Sequence, residues 1–288
     1  MTKPGKTAQL VECPRDAMQG WPHFIPTDKK VAYINQLLKV GFDSIDFGSF
    51  VSAKAIPQMA DTAEVVQQLV LDQSSSKLLA IVANTRGAEN AVAFEQISYL
   101  GFPFSVSETF QQRNTNSSIE ESLKTVSAIQ ELCSRKSKEL VVYLSMGFGN
   151  PYGDLYSEEI VIGRALQLAN LGVKIISVAD TVGIASAGQV LSLTESLINE
   201  VQDASIGVHL HSTSANWNNK LQAALDAGCL RFDGALKGIG GCPMADDELV
   251  GNMDSELMIP YLDERSLLPN INMEALQLAS RMAAELFL

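Results

Sequence analysis

The sequence predicts an α/β fold in which eight parallel strands close into a barrel with helices outside. Three observations lead there. Short apolar runs recur along the whole 288-residue chain. Each is followed by a longer amphipathic stretch, and parallel barrel strands, buried on both faces, read as continuous apolar runs of this kind. The first run leads into Pro14-Arg15-Asp16-Ala17-Met18-Gln19. It lacks the glycine-rich phosphate turn that an open doubly wound sheet carries after its first strand.

The expected strands are 8–13, 44–50, 77–83, 96–106, 140–146, 174–179, 206–211 and 230–235. Between the first two, residues 27–40 put Val31, Ile34, Leu37 and Leu38 on one helical stripe, with Thr27 or Asp28 as N-cap and Gly41 as the stop. Residues 111–118 read as a polar surface loop, and 147–156, with Gly, Asn and Pro, as a substrate-facing loop. Ser157-Glu158-Glu159 opens a helix carrying Ile160, Ile162, Ala165, Leu166 and Leu168 and ending at Leu171-Gly172. Residues 216–227 form another before Gly228, and 273–286 a terminal helix. No linker, repeat or low-complexity block divides the chain, so residues 1–288 are expected to form one barrel domain with 238–252 as a loop covering the site.

A hydrophobic content of 46% suffices for a large core. The net charge of −12 argues against nucleic acid and anionic membranes as partners, though a local pocket can still take an anionic substrate. Cys13, Cys133, Cys229 and Cys242 lack framework spacing, which fits a reducing, cytoplasmic setting. No apolar run is long enough to span a bilayer, and the first residues lack a hydrophobic signal stretch.

Chemistry gathers at the strand ends, which in such a barrel share one face. In Ile206-Gly207-Val208-His209-Leu210-His211 the period of two sends both imidazoles from one side of the strand. Two neighbouring imidazoles read either as metal ligands or as partly buried, hydrogen-bonded histidines. Asp16 would add a carboxylate and Asn252 a carbonyl oxygen; alternatively Asp16 is a cap or pairs with Arg15, and Asn252 is a turn residue after Gly251. Such a mixed N/O set suits magnesium, manganese, zinc or cobalt. Arg15 could hold an enolate oxygen or form a structural pair with Asp46 or Asp180. Cys242, in the glycine-rich Gly238-Ile239-Gly240-Gly241-Cys242-Pro243, could move protons on a closing loop or simply be small and buried. Cys13, Cys133 and Cys229 read as packing residues, and His23 as a loop histidine.

From about Val11 to Leu257 the chain resembles the hydroxymethylglutaryl-CoA lyases, within the metal-dependent lyase and Claisen-condensing barrel (TIM-barrel) family. The pieces carrying this are Pro14-Arg15-Asp16 with Gln19, Gly48-Ser49-Phe50-Val51-Ser52 with Lys54 and Pro57-Gln58-Met59, and Ser105-Val106-Ser107-Glu108 through Ser118-Ile119-Glu120-Glu121. Next come Asp180-Thr181-Val182-Gly183, His209-Leu210-His211, Gly240-Gly241-Cys242-Pro243 and Gly251-Asn252. Their order and spacing carry more than any piece alone. The resemblance implies a divalent cation, magnesium or manganese first and zinc or cobalt next, on Asp16, His209, His211 and Asn252. It implies Arg15, Asp46, Asp180 and Cys242 as catalytic residues and Gln19, Ser49 and Thr181 as substrate contacts. The substrate implied is the acyl-CoA 3-hydroxy-3-methylglutaryl-CoA, split to acetyl-CoA and acetoacetate as in leucine degradation. A homodimer or other homo-oligomer is also implied.

The chain departs from the family's pattern in places. Asp46 stands where the family has Glu, Glu12-Cys13-Pro14 is a residue shorter than the usual segment, and Ser212 follows the second histidine in place of Asp or Asn. Asp246-Asp247-Glu248 replace small residues after Cys242. These changes keep two alternatives open: a related aldolase or condensing enzyme with another acyl substrate, and a binding barrel without catalysis.

Overall fold

In the computed structural model, residues 7–241 and 250–287 are described. Eight strands form: β1 Gln9–Glu12, β2 Ser44–Ser49, β3 Lys77–Ile81, β4 Ile97–Ser105, β5 Glu139–Ser145, β6 Ile175–Asp180, β7 Ser205–Leu210 and β8 Arg231–Gly234. They close into a barrel in sequence order, every neighbouring pair parallel. β8 returns to β1 in the register Gln9↔Arg231 to Glu12↔Gly234. Every apolar run predicts its strand to within two residues at each end.

Alternation along the strands sorts the core into two layers. Leu79, Ile81, Val141, Tyr143 and Ile175 pack together inside the barrel, with Tyr99 against them. Their sequence neighbours, among them Leu78, Ala80, Leu140, Val142 and Ile176, pack outward beneath the helices. Each leucine, isoleucine or valine side chain among them contributes roughly 1.5–3 kcal/mol on burial. The inner cluster fills the barrel beneath the rim, so the site lies on a packed floor rather than over a pore.

The helices follow the predicted stripes, with local corrections. The first long helix spans Thr27–Leu37, shorter than 27–40, and neither Thr27 nor Asp28 caps it. Pro26 precedes it, and the Thr27 hydroxyl donates instead to Asp61 at 2.8 Å. The chain then turns at Gly41 (φ +96°), where a Cβ would sit 2.6 Å from the Asn270 carbonyl oxygen. Ser157 caps Glu158–Asn170 by accepting from the Ile160 amide, as expected. Asn216 precedes Trp217–Asp226 without capping it, because its side chain accepts from the Thr213 amide.

The expected surface loop 111–118 is largely helix, Glu108–Thr115, with Asn116 left-handed after it. Its signal lies just upstream: Ser107 accepts from the Phe110 amide as N-cap. Gln111 is buried, and its side-chain oxygen accepts from the Ser105 amide at the end of β4. Residues 147–156 are a loop, as expected. The terminal helix Met273–Phe287 seals the barrel's outer layer beside Thr27–Leu37. Phe287 meets the Trp21 and Tyr33 rings edge-on at 5.5 and 6.2 Å. Among the described residues no helix is long and apolar enough to cross a membrane.

Candidate active site

β7 sets the first two groups. His209 and His211 leave one side of it, their ring centroids 5.4 Å apart. β1 supplies the third. It runs into a short helix, Pro14–Gln19, whose proline at the first turn needs no amide partner and which carries Arg15 and Asp16 to the rim. One ligand-type atom from each of Asp16, His209 and His211 lies within 4.8 Å of the others. Residues separated by nearly two hundred positions thus meet at one barrel mouth.

Asn252 completes the group from the far side. It forms an isolated bridge with His211, is buried, and donates its amide to Asp16 Oδ2 at 2.7 Å and to the Ile239 carbonyl at 2.9 Å. Both amide hydrogens are thereby used, so Oδ1 is its group for ligation. Gly240 (φ +114°) allows this approach: a Cβ there would collide with Asn252 Nδ2 and lie 3.0 Å from Asp16 Oδ2. Cys242 and residues 243–249, including Asp246, Asp247 and Glu248, lie outside the described residues.

Arg15 and Asp46 form a buried pair beside this set. The Arg15 Nε and Nη2 donate to Asp46, the latter at 2.5 Å. Nη1 donates to Asp16 Oδ1 at 3.2 Å and to Gln19 Oε1 at 2.7 Å. Of the five guanidinium hydrogens, one on Nη2 is left without a protein acceptor among the described residues. Gln19 in turn donates to Asp16 Oδ1 at 2.7 Å, so one amide orients both members of the Arg15–Asp16 pair.

Charges follow from these contacts. Burial pushes the Asp16 carboxyl up, but Arg15, the two histidines and the Asn252 hydrogen bond outweigh it and hold it below its ordinary value. Burial pulls His209 down, and the Asp233 and Asp16 carboxylates more than reverse this. Burial and the neighbouring His209 bring His211 down to about 4, leaving a neutral imidazole. Burial drives Asp46 up to about 6 against the pull of Arg15. A neutral imidazole, a second imidazole oriented by a carboxylate, and an ionised Asp16 are the states a divalent cation requires of its ligands, so the donor set fits one.

The remaining expected site residues serve the rim's own framework. Asp180, at the end of β6, accepts from Lys220 Nζ at 2.6 Å and from the Ala185 amide at 3.1 Å. Thr181 accepts from the Met146 amide, and the Ser49 hydroxyl donates to the Ile81 carbonyl while accepting from Val51.

Three functional neighbours have no motif to announce them. Asp233 accepts from His209 Nδ1 at 3.2 Å. Its signal is parity, since Asp233 sits opposite His209 in the β7–β8 register. Lys220, buried on the helix after β7, donates to Asp180 and to the carbonyls of Gly183 and His211. Glu12 accepts from the Leu236 amide and the Ser255 hydroxyl, bracing the chain on either side of the loop.

Comparison with known proteins then places the chain. The family model described as HMGL-like matches residues 9–283. Hydroxymethylglutaryl-CoA lyase YngG of Bacillus subtilis (strain 168) is 32% identical over 272 residues, covering 94% of this chain and 90% of the relative. A Pseudomonas aeruginosa lyase named for 3-hydroxy-3-isohexenylglutaryl-CoA and hydroxymethylglutaryl-CoA is 31% identical over the same shares. A solved HMG-CoA lyase from Acinetobacter baumannii, in complex with coenzyme A and 3-methylmalate, superposes with a TM-score of 0.91 at 31% identity. It covers 100% of this chain and 93% of that one. Fold, rim and relatives define the class as barrel enzymes that break carbon–carbon bonds. Within that class, the chain belongs to the HMGL-like family.

Proposed function

We propose that this chain is a metal-dependent retro-Claisen lyase that splits 3-hydroxy-3-methylglutaryl-CoA, or a close 3-alkyl analogue, into acetyl-CoA and acetoacetate. The observation that supports this most directly is the meeting of Asp16, His209 and His211 beside the Arg15–Asp46 pair. Asp16, His209, His211 and Asn252 Oδ1 would hold magnesium or manganese. When bound there, the cation supplies Lewis acidity toward the substrate's hydroxyl and carbonyl oxygens.

The chain's own groups do the rest. The substrate's tertiary hydroxyl loses its proton to a base, the adjacent carbon–carbon bond breaks, and its electron pair moves onto the thioester carbonyl. The free Nη2 hydrogen of Arg15 donates to that enolate oxygen, with the guanidinium held flat by Asp46 on one side and Gln19 and Asp16 on the other. Cys242 then returns a proton to the enolate carbon. Asp180 and Thr181 hold the end of β6 where the substrate passes, and Ser49 holds that of β2.

The pattern of cysteines supports a cytoplasmic location, and the family resemblance supports one barrel domain that self-associates, with 238–252 bordering the site. Incubation of the magnesium- or manganese-loaded protein with the hydroxymethylglutaryl thioester tests the reaction. Stoichiometric acetyl-CoA and acetoacetate are expected, and their absence with every divalent ion would reject the named substrate. Cys242→Ser should lower turnover strongly while metal content stays constant; an unchanged rate removes the thiol from the chemistry.

A further inference from the structure

Below the rim set lies a second group of donors. Cys13 Sγ, a nitrogen of His209 and a carboxylate oxygen of Asp233 lie within 4.8 Å of one another. Asp233 is 3% exposed, and among the described residues its Oδ1 has no hydrogen-bond partner. The Cys13 thiol donates to the Val11 carbonyl at 3.9 Å, a contact too long to satisfy it well. The backbone holds the thiol in place, because the Cys13 amide donates to the Gly234 carbonyl at 2.8 Å and so ties the end of β1 to β8.

Carboxyl groups surround this thiol. Burial pushes the Cys13 thiol well above its ordinary value, and Asp233, Asp46, Asp16 and Glu12 push it the same way, so the sulfur is protonated until a cation takes the proton's place. Arg15 is committed to Asp46 and Asp16. Among the described residues, His209 is the hydrogen-bond partner of the Asp233 side chain.

We propose that Cys13, His209 and Asp233 form an inner site for a thiophilic divalent cation, zinc above all, which shares His209 with the rim set. One thiolate, one imidazole and one carboxylate are a zinc-type combination that leaves a fourth position open, whereas magnesium and manganese prefer oxygen. Binding releases the thiol proton to solvent as the sulfur–metal bond forms. His209 links the two sites. When Nδ1 carries the proton and gives it to Asp233, the ring's other nitrogen has the lone pair for the rim. When Nδ1 binds inward, the proton moves to that other nitrogen and the rim loses its ligand. Zinc in the inner site therefore draws His209 away from the rim cation and inhibits. The inner site does not depend on which substrate the rim turns over.

Cobalt(II) is the probe, because a cysteine thiolate bound to it gives a near-ultraviolet charge-transfer band that oxygen and nitrogen ligands do not. The metal-free full chain, Cys13→Ser and Cys242→Ser are titrated with cobalt, and manganese binding is followed in parallel by electron paramagnetic resonance. The expected result is the band in the parent and in Cys242→Ser, its loss in Cys13→Ser, and its bleaching by stoichiometric zinc. Absence of the band in the parent, or its survival in Cys13→Ser, overturns the inner site. Manganese should still bind Cys13→Ser. If the parent fails to bind manganese, the rim assignment fails, while the cobalt result still decides the inner site. Should serine disturb folding by circular dichroism, Cys13→Ala carries the same expectations.

Discussion

Replacing Lys220 by methionine isolates one buried charge at the site. Lys220 is 1% exposed and spends its three ammonium hydrogens on Asp180 and on the carbonyls of Gly183 and His211. Methionine keeps most of the volume and removes the charge. Asp180, itself 1% exposed, would then keep the Ala185 amide but no cation. Burial already raises its carboxyl above the ordinary value, and Lys220 is the main force holding it back. Leaving one partner of a buried pair uncompensated costs about 3–5 kcal/mol. At about 2–4 °C per kcal/mol, that lowers Tm by roughly 6–20 °C. Thermal unfolding at neutral pH in chelator reads this directly, since bound metal would otherwise mask part of the loss. Adding Asp180→Asn should restore part of it by removing the stranded charge, a coupling of roughly 0.5–3 kcal/mol. A loss below about 1 kcal/mol, or an Asp180→Asn effect identical with and without Lys220, would refute the argument.

Three further outcomes are expected. Burial pushes the Glu12 carboxyl from 4.5 up to about 8, so its contribution to stability is whole below pH 4.5 and is lost as pH rises through 8. That amounts to about 5 kcal/mol. Glu12→Gln should flatten this decline in urea unfolding followed against pH, and parallel slopes for the two proteins would contradict it. Asp233→Asn frees His209 to take either tautomer and should weaken manganese binding at the rim about 10–100-fold; an unaltered dissociation constant in a resonance titration would remove Asp233 from that role. Arg15→Lys cannot span Asp46, Asp16 and Gln19 together and should lower kcat roughly 10²–10³-fold, with a smaller change in KM. Retained kcat would show that the guanidinium is not at the enolate.

Much of this molecule is readable along the chain because the relevant signals are local. Apolar runs with helical stripes between them locate all eight strands, and a period of two places His209 and His211 on one side of β7. Short motifs likewise carry Arg15, Asp16 and Asn252. The misreadings are local too. Residues 111–118 look like a loop because they are polar, and the serine that caps the helix running through Thr115 is Ser107, upstream of them.

What the sequence by itself determined is the order of the elements and the chemical types at their ends. Only the tertiary structure decided which of those groups share an environment. That Asp46 rather than Asp180 takes Arg15, that Lys220 reaches three acceptors across two loops, and that Cys13 lies against His209 and Asp233 depend on barrel closure. The pairing of β8 with β1 sets those distances, and no period or motif records it. The physical reason is that alternation tells which way a side chain points, whereas its partner is set by the register of a strand far away in the chain.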